Sequence, residues 1–283
     1  MSAASCYFHT RSGLRLHYLR HGRGGAVPVV LLHGLRAYAQ TWDNLVAALG
    51  EGFDCVALDQ RGRGESDWAE SDSYRTEVYV QDLEDLVAHL GWPRFVLIGH
   101  SLGGANALEY QRCNPVRVTA LVIEDIGPGS SSSSDGAARI RREMAGTPLL
   151  FADWAAARDF WCAARPGLSA EALDSRLRHS MKAVEQGIAW RHDQQGIAQA
   201  RLSIPPTDLW PAVRGLDCPT LFVRGGRSDF LPAARLDEMR EANAQVQAVV
   251  VNDASHYVHD DQNETFNREV LAFLHAQGMG QKQ

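Results

Sequence analysis

A serine set among glycines is the first group in this chain able to do covalent chemistry. Gly99-His100-Ser101-Leu102-Gly103 fits the pattern G-x-S-x-G. The apolar run Phe95–Ile98 precedes it, and a helical stretch opens at Leu102. A serine at a sharp strand-to-helix turn presents its hydroxyl to a ligand, and glycines beside it let neighbouring backbone approach. The start of the helix adds positive partial charge at the same place. The hydroxyl still needs a base to act as a nucleophile. His256, in the loop after the run Ala248–Val251, is the candidate base. His259 is its rival and is expected to open the next element or pack beneath the site. A carboxylate must then orient the imidazole and stabilise its charged form. Asp125 follows the run Ala120–Ile123 and Asp229 follows Thr220–Val223, with Glu124 a third candidate. Each has an ordinary alternative as a solvated loop carboxylate or an anchoring ion pair. His33-Gly34, closing the run Val27–Leu32, suggests an oxyanion hole built from the backbone N–H groups of Leu35 and Leu102.

These groups need a scaffold that brings strand ends together. Six short, unbroken apolar runs (27–32, 53–58, 95–98, 120–123, 220–223 and 248–251) suit strands buried on both faces. Helical spacing separates them over Thr76–Leu90, Leu102–Arg112, Leu231–Ala242 and Glu264–Ala276. Such alternation predicts a doubly wound, mostly parallel α/β sheet, whose ligands bind beyond the carboxyl ends of the strands. Tyr7–Thr10 and Leu14–Leu19 read as an N-terminal hairpin. Between Ile126 and about Asp217 the rhythm breaks. A flexible serine run, Ser130–Ser134, is followed by helix-like pieces at Ala137–Ala145, Trp154–Ala164, Ala170–His179 and Lys182–Trp190. The segment is expected to be a helical cap over the sheet's carboxyl edge. Its aromatics Phe151, Trp154, Phe160, Trp161, Trp190 and Trp210 either line an apolar pocket or pack the cap onto the core.

Bulk properties narrow the class. Across 283 residues, 45% are apolar and 22% charged, enough to bury a sizeable core. A net charge of -6 argues against nucleic acid and anionic membranes as partners. No apolar run spans a bilayer, and the N-terminus lacks the pattern of a signal peptide. Five irregularly spaced cysteines form neither a disulfide framework nor a zinc motif, so a reducing cytoplasm is expected. Oligomeric state is not legible.

Together these stretches resemble the α/β-hydrolase superfamily over nearly the whole chain. The resemblance rests on His33-Gly34, on Asp59-Gln60-Arg61-Gly62-Arg63-Gly64-Glu65-Ser66, on the Ser101 elbow and on the late His256. It implies the α/β-hydrolase fold with a core at residues 1–126 and 215–283 and a helical lid at 127–214. Asp125-Ile126-Gly127-Pro128, 24 residues after Ser101, is similar to the D-I-[GAS]-P stretch of an esterase subgroup that takes its acid there. Ala254–His259 matches that subgroup's base motif, with Ser255 and Tyr257 replacing glycine and tryptophan. The commoner pattern after the later strand places Ser228 at the acid's position when aligned on Pro232, and Asp229 when aligned on Gly226. The resemblance therefore favours Ser101, Asp125 and His256, with Asp229 as alternative acid. It implies an acyl-enzyme hydrolase of carboxylic esters or lactones that needs no metal or organic cofactor. Bacterial macrolide esterases are similar in triad spacing, which makes a large antibiotic lactone a specific candidate. The competing expectations are C–C bond hydrolysis or cofactor-free perhydrolysis on the same fold, and a non-catalytic ligand receptor. Epoxide or haloalkane hydrolysis would call for a carboxylate where Ser101 stands.

Overall fold

The structure, a computed structural model, describes residues 3–22 and 24–280. The outermost residues of the expected core, 1, 2 and 281–283, lie outside these. The strands are β1 (Ala4–His9), β2 (Arg15–His21), β3 (Val27–Leu32), β4 (Phe53–Leu58), β5 (Phe95–His100), β6 (Val118–Glu124), β7 (Leu150–Phe151), β8 (Met181–Val184), β9 (Gly187–Trp190), β10 (Thr220–Gly225) and β11 (Val246–Val251). The α-helices are α1 (Asp43–Leu49), α2 (Thr76–Leu90), α3 (Leu102–Cys113), α4 (Ser130–Ser133), α5 (Asp135–Gly146), α6 (Trp154–Ala164), α7 (Ala170–Ser180), α8 (Gln194–Ser203), α9 (Trp210–Arg214), α10 (Ala233–Ala242), α11 (Val258–Asp261) and α12 (Asn263–Ala276).

An eight-stranded sheet runs in the order β1-β2-β4-β3-β5-β6-β10-β11. β1 and β2 pair antiparallel, and β2 joins β4 antiparallel. Every later pair is parallel. The side-chain period of two feeds both faces from each run. In β3, Val29 and Leu31 enter the apolar layer shared with α1 and α12, while Val30 and Leu32 enter the layer shared with α2, α3 and α10. That double burial is why these strands are continuous apolar runs rather than alternating ones. From β3 the chain moves to β4 on one side, and it returns to β5 on the other. The order reverses between β3 and β5, which opens a crevice outside their carboxyl ends. Among the described residues, no helix is long and apolar enough to cross a membrane.

The segment between β6 and β10 departs from expectation in two ways. Ser130–Ser134 is ordered: α4 forms there, and Ser134 Oγ accepts the Ala137 N–H at 2.9 Å, capping α5. Residues 182–190 are not helical but form the hairpin β8–β9, which β7 extends to three antiparallel strands. Gly187 decides this. Its φ is 136°, and a Cβ there would meet Phe151 O at 2.2 Å. Beyond it Ile188 and Trp190 alternate inward as a strand requires. Phe151, Phe160, Trp161 and Trp190 pack on one another in tilted and edge-to-face contacts, with centroids 5.2–5.8 Å apart. They form a separate core for α6, α7 and the small sheet, and Trp161 also lines a small pocket beside Ser101 and His256. Trp154 is exposed, and Trp210 lies under the guanidinium groups of Arg214 and Arg235. By contrast Ile140 of α5, Ile197 of α8 and Val213 of α9 join the apolar layer of the main sheet.

The loop after β4 ties these parts to the crevice. The buried Asp59 carboxylate accepts from His17 Nδ1–H at 2.7 Å and from the N–H groups of Ala39 (2.7 Å) and Glu65 (3.1 Å). Arg61 and Asp82 form a buried two-pronged pair with both bonds at 2.6 Å. Asp59→Ala strands three donors at once and is expected to destabilise the protein by about 3 kcal/mol. A urea melt followed by circular dichroism measures this, and a loss under about 1 kcal/mol would contradict the role given to Asp59.

Candidate active site

Ser101 sits between β5 and α3 with φ 52° and ψ -113°, a conformation that L side chains rarely adopt. The turn is possible because a Cβ on Gly103 would lie 2.2 Å from Leu32 O, and one on Gly99 would lie 2.5 Å from Gly103 O. Two bare backbones meet where side chains would collide. The hydroxyl so presented is 2.9 Å from His256 Nε2. His256 Nδ1 is 2.7 Å from Asp125 Oδ2. Chemistry assigns the protons along this line. Asp125 only accepts, so Nδ1–H donates to it, and bare Nε2 accepts from the Ser101 hydroxyl.

Asp125 is fully buried and also has positive φ, at 51°. The Gly225 N–H donates to its Oδ1 at 3.0 Å, and the Ser228 hydroxyl donates to its Oδ2. Ser228 Oγ accepts in turn from the Phe230 N–H at 3.0 Å. Ser228 thus occupies the place where the commoner pattern carries its acid, and it steadies Asp125 from the neighbouring strand. The alignment on Pro232 was the signal for it. Asp229, the alternative acid, turns away and pairs with Arg139 at 2.8 and 3.0 Å. That pairing holds its carboxyl below the usual range. Asp229 thus ties the loop after β10 to Arg139 of α5.

His100 and Phe230 hold His256 in place. The fully buried His100 donates its Nε2–H to the His256 carbonyl at 2.9 Å. Burial, with His256 and His259 beside it, pushes its pKa well below the usual value, so it stays neutral. Phe230 covers the His256 ring at 4.4 Å between centroids. The rival His259 faces elsewhere: its Nδ1–H donates to Glu124 at 2.8 Å, and its Nε2 meets Thr41 Oγ1 at 2.8 Å. Burial alone would lower its pKa, but Glu124 and Asp260 outweigh burial and raise it. His100, Glu124 and His259 are the group among the described residues whose ligand atoms are close enough to hold a metal, within 4.8 Å of one another. Both ring nitrogens of His259 are already engaged, so the cluster reads as a hydrogen-bonded support beneath the site.

The oxyanion candidates lie in the same place. Leu35, Leu102 and Ser101 all line one cavity of about 120 Å³. Leu102 is the first residue of α3, so its N–H has no acceptor within the helix. His33 shapes the loop that carries Leu35. Its Nε2 accepts the Gln60 N–H at 3.1 Å, which places the proton on Nδ1 for Gly34 O at 2.8 Å. Burial lowers the His33 pKa to about 4, so the acceptor nitrogen stays free of a proton at neutral pH.

The geometry separates the two acids by experiment. Asp125→Asn is expected to lower kcat by about 10³- to 10⁴-fold, since it favours the wrong imidazole tautomer. Asp229→Asn, whose carboxylate hydrogen-bonds to Arg139, is expected to stay within about threefold. Steady-state kinetics on any turned-over ester decides it, and the reverse ranking would transfer the acid to Asp229.

Comparison with known proteins agrees with this architecture. A 2-(acetamidomethylene)succinate hydrolase of Mesorhizobium japonicum is 29% identical over 253 residues, 89% of this chain and 90% of its own. An esterase of Mycobacterium tuberculosis is 29% identical over 248 residues, 84% of this chain and 80% of its own. The crystal structure of E-2-(acetamidomethylene)succinate hydrolase superposes with a TM-score of 0.86 at 25% identity, over 97% of this chain and 100% of that one. Residues 29–269 match the sequence profile of the alpha/beta hydrolase family, and the chain belongs to that family.

Proposed function

We propose that the protein is a serine hydrolase that cleaves carboxylic esters through an acyl-enzyme. One observation carries the reading: the unbroken line from Asp125 through His256 to Ser101, at 2.7 and 2.9 Å, ends at a cavity. Ser101 Oγ attacks the carbonyl carbon while His256 Nε2 takes its proton. The N–H groups of Leu35 and Leu102 hold the negative oxygen of the tetrahedral intermediate. The intermediate expels the alcohol, which leaves with the proton from His256. Water then gives a proton to His256, attacks the acyl carbon and releases the acid, restoring Ser101.

Residues 127–214 act as the lid in this reading. Arg165 of the linker after α6 pairs with Asp260 and Asp261, and Arg176 of α7 pairs with Asp260. Arg165 also lies 3.8 Å above the Tyr257 ring. The lid is thereby clamped to residues directly after the base. Five cysteines without disulfide bonds suit a reducing, cytoplasmic setting.

Cavity size bears on the substrate. Pockets for drug-sized ligands run to roughly 300–1,000 Å³, and the cavity at Ser101 is about 120 Å³. It suits a small acyl group, and a macrocyclic lactone would need the lid to leave. A second reading follows from the relative named for 2-(acetamidomethylene)succinate, a compound with an amide and no ester: the same triad then cleaves an amide-type bond. C–C bond hydrolysis and perhydrolysis would use the same serine, whereas a receptor would use none of it.

A substrate panel tests this. Short-chain 4-nitrophenyl esters are expected to turn over, Ser101→Ala to lose about 10⁴-fold or more in kcat, and a macrolide to remain intact. Unchanged turnover in Ser101→Ala would refute the mechanism.

A further inference from the structure

Two of the buried arginines of this protein, and the half-buried Arg20, are paired with acids. Arg61 meets Asp82, Arg20 meets Asp54, and Arg176 meets Asp260. Arg224 has no acid, yet all three of its nitrogens donate to carbonyls, of Leu231, Gly226 and Ser228. Two further arginines without an acid partner, the buried Arg63 and the half-buried Arg201, line the cavity that holds Ser101.

Arg63 is fully buried. Its Nε donates to Leu35 O at 3.1 Å, and its Nη1 donates to Arg61 O at 2.8 Å and to the Tyr79 hydroxyl. Its guanidinium also lies 5.4 Å from the ring centres of Tyr74 and Tyr79. None of these partners carries negative charge, and none of these bonds uses Nη2. Arg201 of α8 donates from Nη2 to Ser131 O at 3.3 Å, and its buried Nε has no hydrogen-bond partner. Burial, with Arg141 nearby, lowers its pKa from the usual value, and no carboxylate offsets either effect. The other charged groups lining the cavity, Arg75 and Glu77, are both exposed and oppose one another. The interior of the cavity therefore carries two guanidinium charges that no acid among the described residues neutralises. A buried guanidinium with a free donor is costly unless something else supplies the acceptor.

We propose that Arg63 and Arg201 form a carboxylate-binding subsite in the cavity of Ser101, so that the substrate is an acyl compound bearing a second, free carboxylate. A guanidinium binds a carboxylate through paired N–H donors, which gives both attraction and direction. The carboxylate would hold one end of the substrate while Ser101 attacks the carbonyl at the other. Arg63 also grips Leu35, so binding there bears on the loop that carries an oxyanion donor.

The inference rests on the serine-hydrolase reading, and the test separates the two. 4-Nitrophenyl half-esters of glutaric, adipic and pimelic acid are compared with the same esters capped by a methyl group at the far carboxylate. Wild type, Arg201→Met, Arg63→Met and the charge-keeping Arg63→Lys are assayed, with uncatalysed rates subtracted. The half-ester of at least one length is expected to exceed its neutral partner by about tenfold or more in kcat/KM, mainly through KM. That ratio should shrink with added salt and fall to within about threefold in Arg201→Met. Arg63→Met should lower it too, with partial recovery in Arg63→Lys. Equal kcat/KM for charged and neutral esters, or a preference untouched in Arg201→Met, overturns the subsite and leaves the hydrolase standing. If wild type cleaves neither kind, the hydrolase reading falls, and calorimetric titration with the free dicarboxylates decides the subsite. Binding lost in Arg201→Met supports it, and no binding overturns it.

Discussion

A carboxylate with no access to water is the constraint around which the site is arranged. Asp125 lies at the end of β6, between β5, which leads to Ser101, and β10, which leads to Ser228. Buried there, an ionised carboxyl needs donors on every side. The backbone at Gly225, the hydroxyl of Ser228 and the imidazole of His256 supply them. The imidazole is held in the tautomer whose other nitrogen is bare, and that nitrogen points at the serine. Hydrogen-bond satisfaction of one acid thus fixes the orientation of the imidazole. The polarity that the proposed catalysis needs follows from the polarity needed for stability.

The neighbouring acid shows how specific that arrangement is. Glu124 precedes Asp125 in the chain, is equally buried, and also binds a histidine. Yet Glu124 serves His259, which packs against Trp42 at 4.9 Å. The positive φ at Asp125 turns the chain out of the strand, so the two consecutive carboxylates serve different histidines. Beside them His100 bridges to the His256 carbonyl, and its imidazole contacts His259 with centroids 4.9 Å apart. The result is two acid–histidine pairs joined by one neutral histidine, with the outer pair facing the cavity and the inner pair facing the core.

Much of this was legible in the residues. The runs VPVVLL, FDCVAL and TLFV declare doubly buried strands because no polar face is left for water, and the elbow follows from glycines that only a bare backbone contact requires. Ser101 and His256 could be placed by strand ends alone. The choice between Asp125 and Asp229 could not, since it depends on a backbone dihedral at Asp125 and on an Arg139 that approaches from 90 residues away. The segment before β10 was least transparent. Residues 182–190 carry helix-tolerant types, and only the close approach of Gly187 to Phe151 shows why they form a hairpin. Most of the aromatics there serve burial, while Trp161 also faces the pocket beside Ser101, and spacing does not distinguish those two uses. Arg63 and Arg201 were silent for a related reason: an arginine becomes noteworthy when its acid is missing, and that is a property of three dimensions.

Reaction of the intact protein with a fluorophosphonate, read by peptide mass spectrometry, addresses the central claim most directly. Phosphorus stands in for the acyl carbon, so labelling requires a hydroxyl activated by its base and an oxyanion site ready to receive charge. A single stable adduct on Ser101 is predicted, slowed at least about a hundredfold in His256→Ala. Absence of an adduct on the folded protein, or its appearance on a different serine, would contradict the account.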